Sequence, residues 1–190
     1  YGFQGQLFVT TDLIGQRGFL TKHELQNIPR ATFAIGSHAR SHRLLNRLSS
    51  VEVSDELQSS KKTLEDLLGT EVDSLSLPGG ATDNRVLEIA RQAGYRFVFT
   101  SDVHINRIGR PNASIGRVAI RSTTTDDEVR RWVSGRLGRV RVRNQILRTS
   151  RRLLGWSWYD RIRRRLLGEA QCQNEMVDLS TAEPQAREGR

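Results

Sequence analysis

Residues 32–42 have the sequence TFAIGSHARSH. In this stretch a short apolar run leads directly into two histidines spaced four residues apart. The run at 32–35 predicts a strand. If the residues after it form a helical turn, His38 and His42 lie on one side of that turn, close enough to share one metal ion. Neutral imidazole is a good ligand for zinc and for other divalent first-row metals.

Two histidines alone do not make a catalytic metal centre. Such centres usually use three protein ligands and keep one position open for water. The pair therefore predicts a third ligand elsewhere, which we expect to be a carboxylate. We interpret the stretch as part of a metal-dependent hydrolase site. The alternative is that His38 and His42 are two surface histidines in an arginine-rich turn.

Predicted strands alternate with predicted helices on both sides of this stretch. Apolar runs, helical periodicity, capping-box spacing and glycine stops place the elements. The strands are at residues 6–11, 32–35, 72–77 and 95–100, with 116–121 as a further candidate, and the helices are at 21–28, 43–48, 53–68, 83–94 and 125–132. This order predicts an α/β fold of parallel strands joined by crossover helices. A barrel-like sheet and an open doubly wound sheet fit the pattern equally well.

Polar loops follow several predicted strands at their carboxyl ends, where α/β folds collect functional groups. They contain His38, then Pro78-Gly79-Gly80, then 101–104 with His104. The Pro-Gly-Gly loop is either functional or an ordinary turn. His104 is a candidate proton donor, although a solvated loop histidine fits better.

Four further residues are interpreted as structural residues or as residues without a predicted function. Asp12 and Asp83 are interpreted as turn and cap residues, with Asp12 a distant candidate for the site because it follows a strand end. His23 is expected to be exposed on a short helix, and Cys172 lies in a polar segment without a predicted function.

The composition permits one ordinary core in 190 residues. An apolar content of 36% and a mean hydropathy of −0.53 indicate that part of the chain is solvated. No apolar run approaches the roughly 20 residues of a membrane span. A single cysteine excludes an internal disulfide and favours a reducing compartment. No secretory signal is visible, but the chain begins at Tyr1 and not at a methionine, so the location is left open, with the cytoplasm or a membrane surface favoured.

The positive charge is concentrated in one segment. The net charge is +9, but residues 130–168 contain thirteen arginines and one acidic residue, Asp160, so the rest of the chain is mildly acidic. An apolar stripe within residues 148–167 predicts a basic amphipathic helix; it consists of Leu154, Trp158, Ile162 and Leu166. This helix packs on the domain or contacts a membrane surface or an anionic glycan. Nucleic acid is the least favoured partner, since no reading motif accompanies the charge.

Residues 6–122 resemble the polysaccharide deacetylases, the carbohydrate esterases with a NodB homology domain. The match depends on the order and spacing of several short motifs rather than on one of them. They are FVTT at 8–11, IGSH with SH at 35–42, the helix with EL, SK, LE and LG at 56–69, LPGG at 77–80, and AGY with FT at 93–100. The resemblance is closest to deacetylases found with capsule and exopolysaccharide synthesis systems.

The resemblance implies a distorted (β/α) barrel that removes acetyl groups from N-acetylated sugars of a polysaccharide. In the family, two histidines and an aspartate hold one divalent metal, here expected to be zinc, with cobalt, nickel or manganese as alternatives. A second aspartate is the base, and a late histidine protonates the leaving amine. His38 and His42 match the metal histidines. Pro78 and Gly79, followed by Gly80, match the motif that helps to hold the oxyanion.

The sequence departs from the family pattern at several positions. The family's Thr-Phe-Asp-Asp-Gly motif, which supplies the base and the third ligand, is not in this chain, and the late leucine-histidine motif has no clear counterpart. Ala39 replaces a Thr or Ser, and Ser76 replaces an arginine. We therefore expect residues 1–125 to be a partial deacetylase domain, residues 126–168 a basic helical extension, and residues 169–190 a disordered tail. The alternative is an inactive relative that binds glycan or a membrane surface through its basic helix.

Overall fold

Four parallel strands form the centre of the larger part of the molecule. The computed structural model describes residues 2–80, 83–107 and 114–153. The chain divides into two units, residues 1–119 and 120–190. In the first unit the strands pair in the order in which they occur along the chain. They are β1 (Gly5–Val9), β2 (Phe33–Ser37), β3 (Ser74–Ser76) and β4 (Phe97–Phe99).

A helix lies in each connection between consecutive strands, as parallel pairing requires. These helices are α1 (Lys22–Gln26), α2 (Ser50–Leu68) and α3 (Asn84–Gln92). The alternation predicted from the sequence is therefore present. Strands β1, β3 and β4 are shorter than predicted, whereas β2 extends two residues past its predicted end, to Ser37. Beyond β4, Ile115 forms one parallel bridge with Phe99. The described part of 116–121 contains no strand, so that candidate strand is wrong.

Local signals place the helix ends. Thr21 and Ser49 each form a complete capping box with the glutamate three residues later. Asp83 accepts a hydrogen bond from the Val86 amide and so has the predicted capping role. Gly69 ends α2 in the left-handed conformation, with φ of 64°. The predicted helix at 43–48 is instead a single 3-10 turn at Leu45–Arg47, because Leu44 and Leu48 on either side of it adopt extended backbone.

One face of the sheet is covered by α2 and α3. Strand side chains that point to this face pack against the apolar stripes of both helices. Together they form a hydrophobic core cluster of thirteen buried residues. They are Ala39, Leu45, Leu48, Val53, Leu57, Leu64, Val72, Leu75, Leu77, Val86, Ala90, Tyr95 and Val98. Full burial of one leucine contributes about 1.5–3 kcal/mol. We call this side the helix-covered face.

The opposite face carries small residues and the rings of Phe8, Phe97 and Phe99, because residues two apart on a strand point to the same side. The rings of Phe8 and Phe99 meet edge to face, with their centroids 5.0 Å apart, although β2 and β3 lie between their strands. Gly36 makes this contact possible. A Cβ atom there would lie 2.6 Å from Ser74 Oγ and 2.8 Å from the Phe8 ring. We call this side the aromatic face.

The second unit is described over residues 120–153. It contains α4 (Asp126–Val133), which starts with a capping box between Thr125 and Glu128, and α5 (Gly138–Leu153). No helix in the described ranges is long and apolar enough to cross a bilayer. Most of the predicted amphipathic helix at 148–167, and all of the predicted tail at 169–190, lie outside the described residues. The predicted domain division therefore stays a prediction.

Candidate active site

His38 directly follows β2, and two hydrogen bonds fix it. Its amide donates to the Val9 carbonyl at 2.8 Å, which continues the ladder between β1 and β2. Its ring Nδ1 lies 2.6 Å from the carbonyl oxygen of Ser76, at the end of β3. A carbonyl oxygen can only accept, so Nδ1 carries the hydrogen. In the neutral ring, Nε2 is then the nitrogen with a free lone pair.

His42 lies beside His38. The centroids of the two imidazole rings are 5.0 Å apart, and the rings meet edge to face. The predicted helical turn between them is wrong, because Ala39 and His42 adopt the left-handed conformation, with φ of 61° and 64°. Such a conformation costs a non-glycine residue on the order of 1 kcal/mol. The juxtaposition predicted from the spacing is nevertheless present, produced by a non-helical loop at residues 38–42, which we call the histidine loop.

Both imidazoles lie in surroundings that favour the neutral form. Burial lowers the pKa of His38 to about 4, and the neighbouring positive charges of His42 and Arg117 act in the same direction, against the hydrogen bond to Ser76. Burial also lowers the pKa of His42. At neutral pH the pair therefore presents uncharged rings, which is the state that binds a metal ion.

The backbone of the histidine loop is hydrogen-bonded at successive residues. The Ala39 amide donates to Ser37 Oγ at 3.1 Å, and Ser37 Oγ lies 2.7 Å from Ser60 Oγ of α2. The carbonyl oxygens of residues 38–40 accept from Thr10 Oγ1, the Thr11 amide and the Asp12 amide at 3.0–3.4 Å. Because both sides of the loop are bonded to neighbouring elements, its two left-handed residues are held in place.

Glu56 of α2 provides the acceptors for the middle of the loop. One carboxylate oxygen accepts from the amides of Arg40 and Ser41 at 3.0 and 2.9 Å, and the other accepts from the Ser41 hydroxyl. The sequence pattern assigned no role to Glu56 in the site. The signal is a glutamate at the helical spacing of Val53, Leu57 and Leu64, on the buried stripe of α2, where an unpaired charge would be costly.

The Pro78-Gly79-Gly80 segment is a tight turn at the end of β3. Gly79 and Gly80 both have φ of 62°, and the Gly80 amide donates to the Leu77 carbonyl at 2.8 Å. A Cβ atom on Gly80 would lie 1.8 Å from Ser101 Oγ, so the two loops pack closely here. The turn interpretation is consistent with this geometry, and the oxyanion role stays a prediction.

An arginine that follows β4 in the chain lies over the aromatic face. The guanidinium of Arg117 lies 5.8 Å from the centroids of both Phe8 and Phe99, and its Nε donates to the Thr100 carbonyl at 3.1 Å. Burial lowers its pKa. The sequence gives no local signal for Arg117, because its proximity to these rings depends on how the chain packs after β4. His104 donates from Nε2 to the Ser114 carbonyl at 3.1 Å, a loop contact that leaves its proton-donor role untested.

The last sequence-predicted candidate for the site is Asp12, which follows the end of β1. Asp12 lies 3.8 Å from the guanidinium of Arg40, and burial raises the pKa of its carboxyl group, although Arg40 opposes the shift. Within residues 2–80, 83–107 and 114–153, no group of three His, Cys, Asp or Glu side chains could hold a metal ion. The described residues thus supply the two imidazoles without the third ligand.

Residues 1–98 match the family model for polysaccharide deacetylases, which is more than half of the chain. The chain belongs to the polysaccharide deacetylase family, and the resemblance seen in the sequence is confirmed. No curated protein sequence matches the chain significantly.

Several solved structures are similar to this chain. A polysaccharide deacetylase from Bacillus cereus has a TM-score of 0.62 and 23% identity, with 68% of this chain and 42% of that chain covered. A Streptococcus pyogenes deacetylase in complex with acetate has a TM-score of 0.62 and 20% identity, covering 67% and 57%. IcaB from Ammonifex degensii has a TM-score of 0.57 and 21% identity, covering 67% and 60%. These similarities confirm the predicted fold class. This chain spans about two fifths to three fifths of their lengths.

Proposed function

We propose that this chain contributes the two-histidine half of the metal centre in a deacetylase that releases acetate from N-acetylated sugars of a polysaccharide. The observation that carries the proposal is the arrangement of His38 and His42. The two rings are in contact, both favour the neutral form, and the Nδ1 of His38 is committed to the Ser76 carbonyl.

These two residues fit a divalent metal ion. A metal-binding histidine usually donates its other ring N–H to a carbonyl or carboxylate, which fixes the tautomer and the ring orientation. The Ser76 carbonyl does this for His38 and leaves Nε2 as the candidate donor atom. We propose zinc as the metal, with cobalt, nickel or manganese as alternatives. A bound metal would supply Lewis acidity toward an acetamide carbonyl and an acidic water.

The other residues of the chain shape the site around this pair. Pro78, Gly79 and Gly80 form the turn after the strand that supplies the Ser76 carbonyl, and we propose that their backbone contacts the reacting carbonyl. Arg117 adds a positive charge close to His38. We propose that a third ligand and the base, both expected to be carboxylates, complete the site, since the described residues contain no three-ligand group.

The test uses two measurements on the same set of variants. Zinc binding to this chain is measured by calorimetry for the wild type, His38→Ala, His42→Ala and the matched control His23→Ala, which changes an exposed histidine of α1. Acetate release from N-acetylglucosamine oligomers is measured with the product of the full coding sequence, with and without chelator. We expect loss of zinc binding in the two loop variants alone, and acetate release that chelator abolishes and zinc restores. Equal zinc binding by all four proteins would contradict the proposal.

A second candidate is a family member that binds glycan without hydrolysing it. Ala39 and Ser76 favour this candidate, because both replace polar residues of the family pattern within the site. Its contacts to a membrane surface or an anionic glycan would then involve the basic segment. Binding of the acetylated oligomer by the full-length protein, without acetate release under any metal, would support this candidate over the first.

A further inference from the structure

The geometry of the histidine pair depends on a residue that does not touch either ring. Between the two histidines lie residues 39–41, and the backbone of this segment must hold a left-handed residue at each end of the turn, Ala39 and His42. A loop of this kind has several accessible conformations unless its surroundings select one. The selecting contacts come from β1 on one side and from α2 on the other.

On the α2 side, Glu56 is the dominant contact. Its side chain is 1% exposed and accepts three hydrogen bonds, from two backbone amides and one hydroxyl of the loop. Hydrogen bonds to a charged acceptor are stronger than those between neutral groups, and removal of the acceptor leaves the donors buried and unpaired. A single side chain therefore sets the path of residues 40 and 41, immediately before His42.

The cost of burying this carboxylate indicates what it stabilises. A buried glutamate is costly unless it is paired and hydrogen-bonded. Arg40 lies 3.9 Å away, and its guanidinium is bonded more closely to Asp55, at 2.7 Å. The close partners of Glu56 in the described part of the chain are thus loop N–H and O–H groups. An apolar residue at this position of α2 would suit the core and would leave the loop amides unpaired.

We infer that Glu56 is a positioning residue for the metal centre, in that its hydrogen bonds to residues 40 and 41 set the orientation of His42 against His38. Its importance for metal binding rests on the proposed function, whereas its effect on the two rings does not. The residue acts through the loop backbone and is not itself a ligand.

The variants separate hydrogen bonding from charge and from stability. Glu56→Ala removes all three bonds. Glu56→Gln keeps an oxygen that can accept from both amides and an NH₂ group that can donate to the Ser41 hydroxyl, so it should restore the loop. Asp55→Asn is the matched control, because it changes the neighbouring, exposed carboxylate that pairs with Arg40 without bonding the loop backbone. Leu64→Ala destabilises the same helix on its core side.

Two properties of each variant are measured at a temperature where the variant is folded. The first is the NMR contact between the His38 and His42 ring protons in chelator-treated protein. The second is affinity for added zinc chloride, with the absorption spectrum of added cobalt(II) as a report of ligand geometry. We expect Glu56→Ala to lose the ring contact, to bind zinc about tenfold or more weakly, the size typical of lost supporting contacts, and to change the cobalt spectrum. We expect Glu56→Gln, Asp55→Asn and Leu64→Ala to stay within about threefold of the wild type.

The outcomes distinguish the inference from the proposed function. If the wild type shows the ring contact and binds no zinc, the metal proposal fails. The ring contact in the variants then still tests whether Glu56 sets the orientation of His42 against His38. Retention of the ring contact and of wild-type zinc affinity in Glu56→Ala would overturn the inference. An effect of Glu56→Gln as large as that of Glu56→Ala, or a similar loss in Leu64→Ala, would also overturn it, because charge or general stability would then be the cause.

Discussion

The two faces of the four-stranded sheet belong to the same strands and differ in the side chains that they carry. The helix-covered face is built from Leu75, Val98 and the apolar stripes of α2 and α3, and its contacts are apolar and close. The aromatic face carries Gly36, Ser74 and three phenylalanines, with His38 and Arg117 at its carboxyl edge. Alternation along each strand thus separates the apolar core from the edge that carries the histidines, so a core substitution that leaves Glu56 in place should leave the histidine loop largely unchanged.

The largest effect is expected from a deletion on the helix-covered face. Leu64 is fully buried in the cluster, and Leu64→Ala should lower the free energy of unfolding by about 2–5 kcal/mol through lost burial and a residual cavity. Denaturant unfolding followed by circular dichroism measures the change. The exposed Val51 of the same helix is the matched control, and Val51→Ala should change stability by less than about 0.5 kcal/mol. Altered zinc affinity in folded Leu64→Ala would break the separation of the two faces.

The separation also explains how far the sequence could predict this molecule. The helices of the helix-covered face follow from local signals: the Asp83 cap of α3, a left-handed stop at Gly69, and the apolar period of α2. Each of these acts within a few residues, so a single sequence reveals it. The ends of β3 were overestimated because apolar residues continue past both ends of the strand, to Val72 and Leu77, although the Leu77 amide still donates to the Phe99 carbonyl.

The site was predictable only where its residues are close in the sequence. The histidine spacing indicated the pair, and the paired rings are present, but the spacing suggested a helical turn that the loop does not form. Glu56 contacts the loop from fifteen or sixteen residues away, and Arg117 reaches the aromatic face from beyond β4. Such contacts depend on how the chain packs, and residue type alone does not report them. The left-handed conformation of Ala39 and His42 could not be predicted from the sequence either, because neither residue is a glycine.

An intermediate effect is expected from pH at the edge of the aromatic face. The pKa of His38 is about 4 in the folded chain and near 6.5 in a model peptide. Between these values the unfolded state binds more protons, so the free energy of unfolding should rise with pH across this window, by at most about 3 kcal/mol. The contribution is fully present above pH 6.5 and is lost as pH falls through 4. Urea unfolding with chelator, from pH 4 to pH 7, measures it.

The control for this pH dependence is a second histidine in a different environment. His38→Asn should flatten the rise in stability with pH, because the variant has no imidazole to protonate at this position. His23→Asn, at an exposed position of α1, should retain the wild-type slope. Parallel slopes for His38→Asn and the wild type would show that carboxylates rather than this imidazole produce the pH dependence. The two faces would then differ less in electrostatics than the structure indicates.

The smallest effect is expected from one methyl group on the aromatic face. Gly36→Ala places a Cβ atom 2.6 Å from Ser74 Oγ and 2.8 Å from the Phe8 ring, so both neighbours must move. Overpacking of this kind costs about 1–3 kcal/mol, and the matched control Gly138→Ala, with nothing within 4 Å of the added atom, should cost less than about 0.5 kcal/mol. Because Phe8 also lies under the Arg117 guanidinium, we expect Gly36→Ala to shift the NMR signals of Arg117 and His38 and to leave those of Leu64 unchanged. Shifts spread equally over both faces would show that the sheet transmits strain between them.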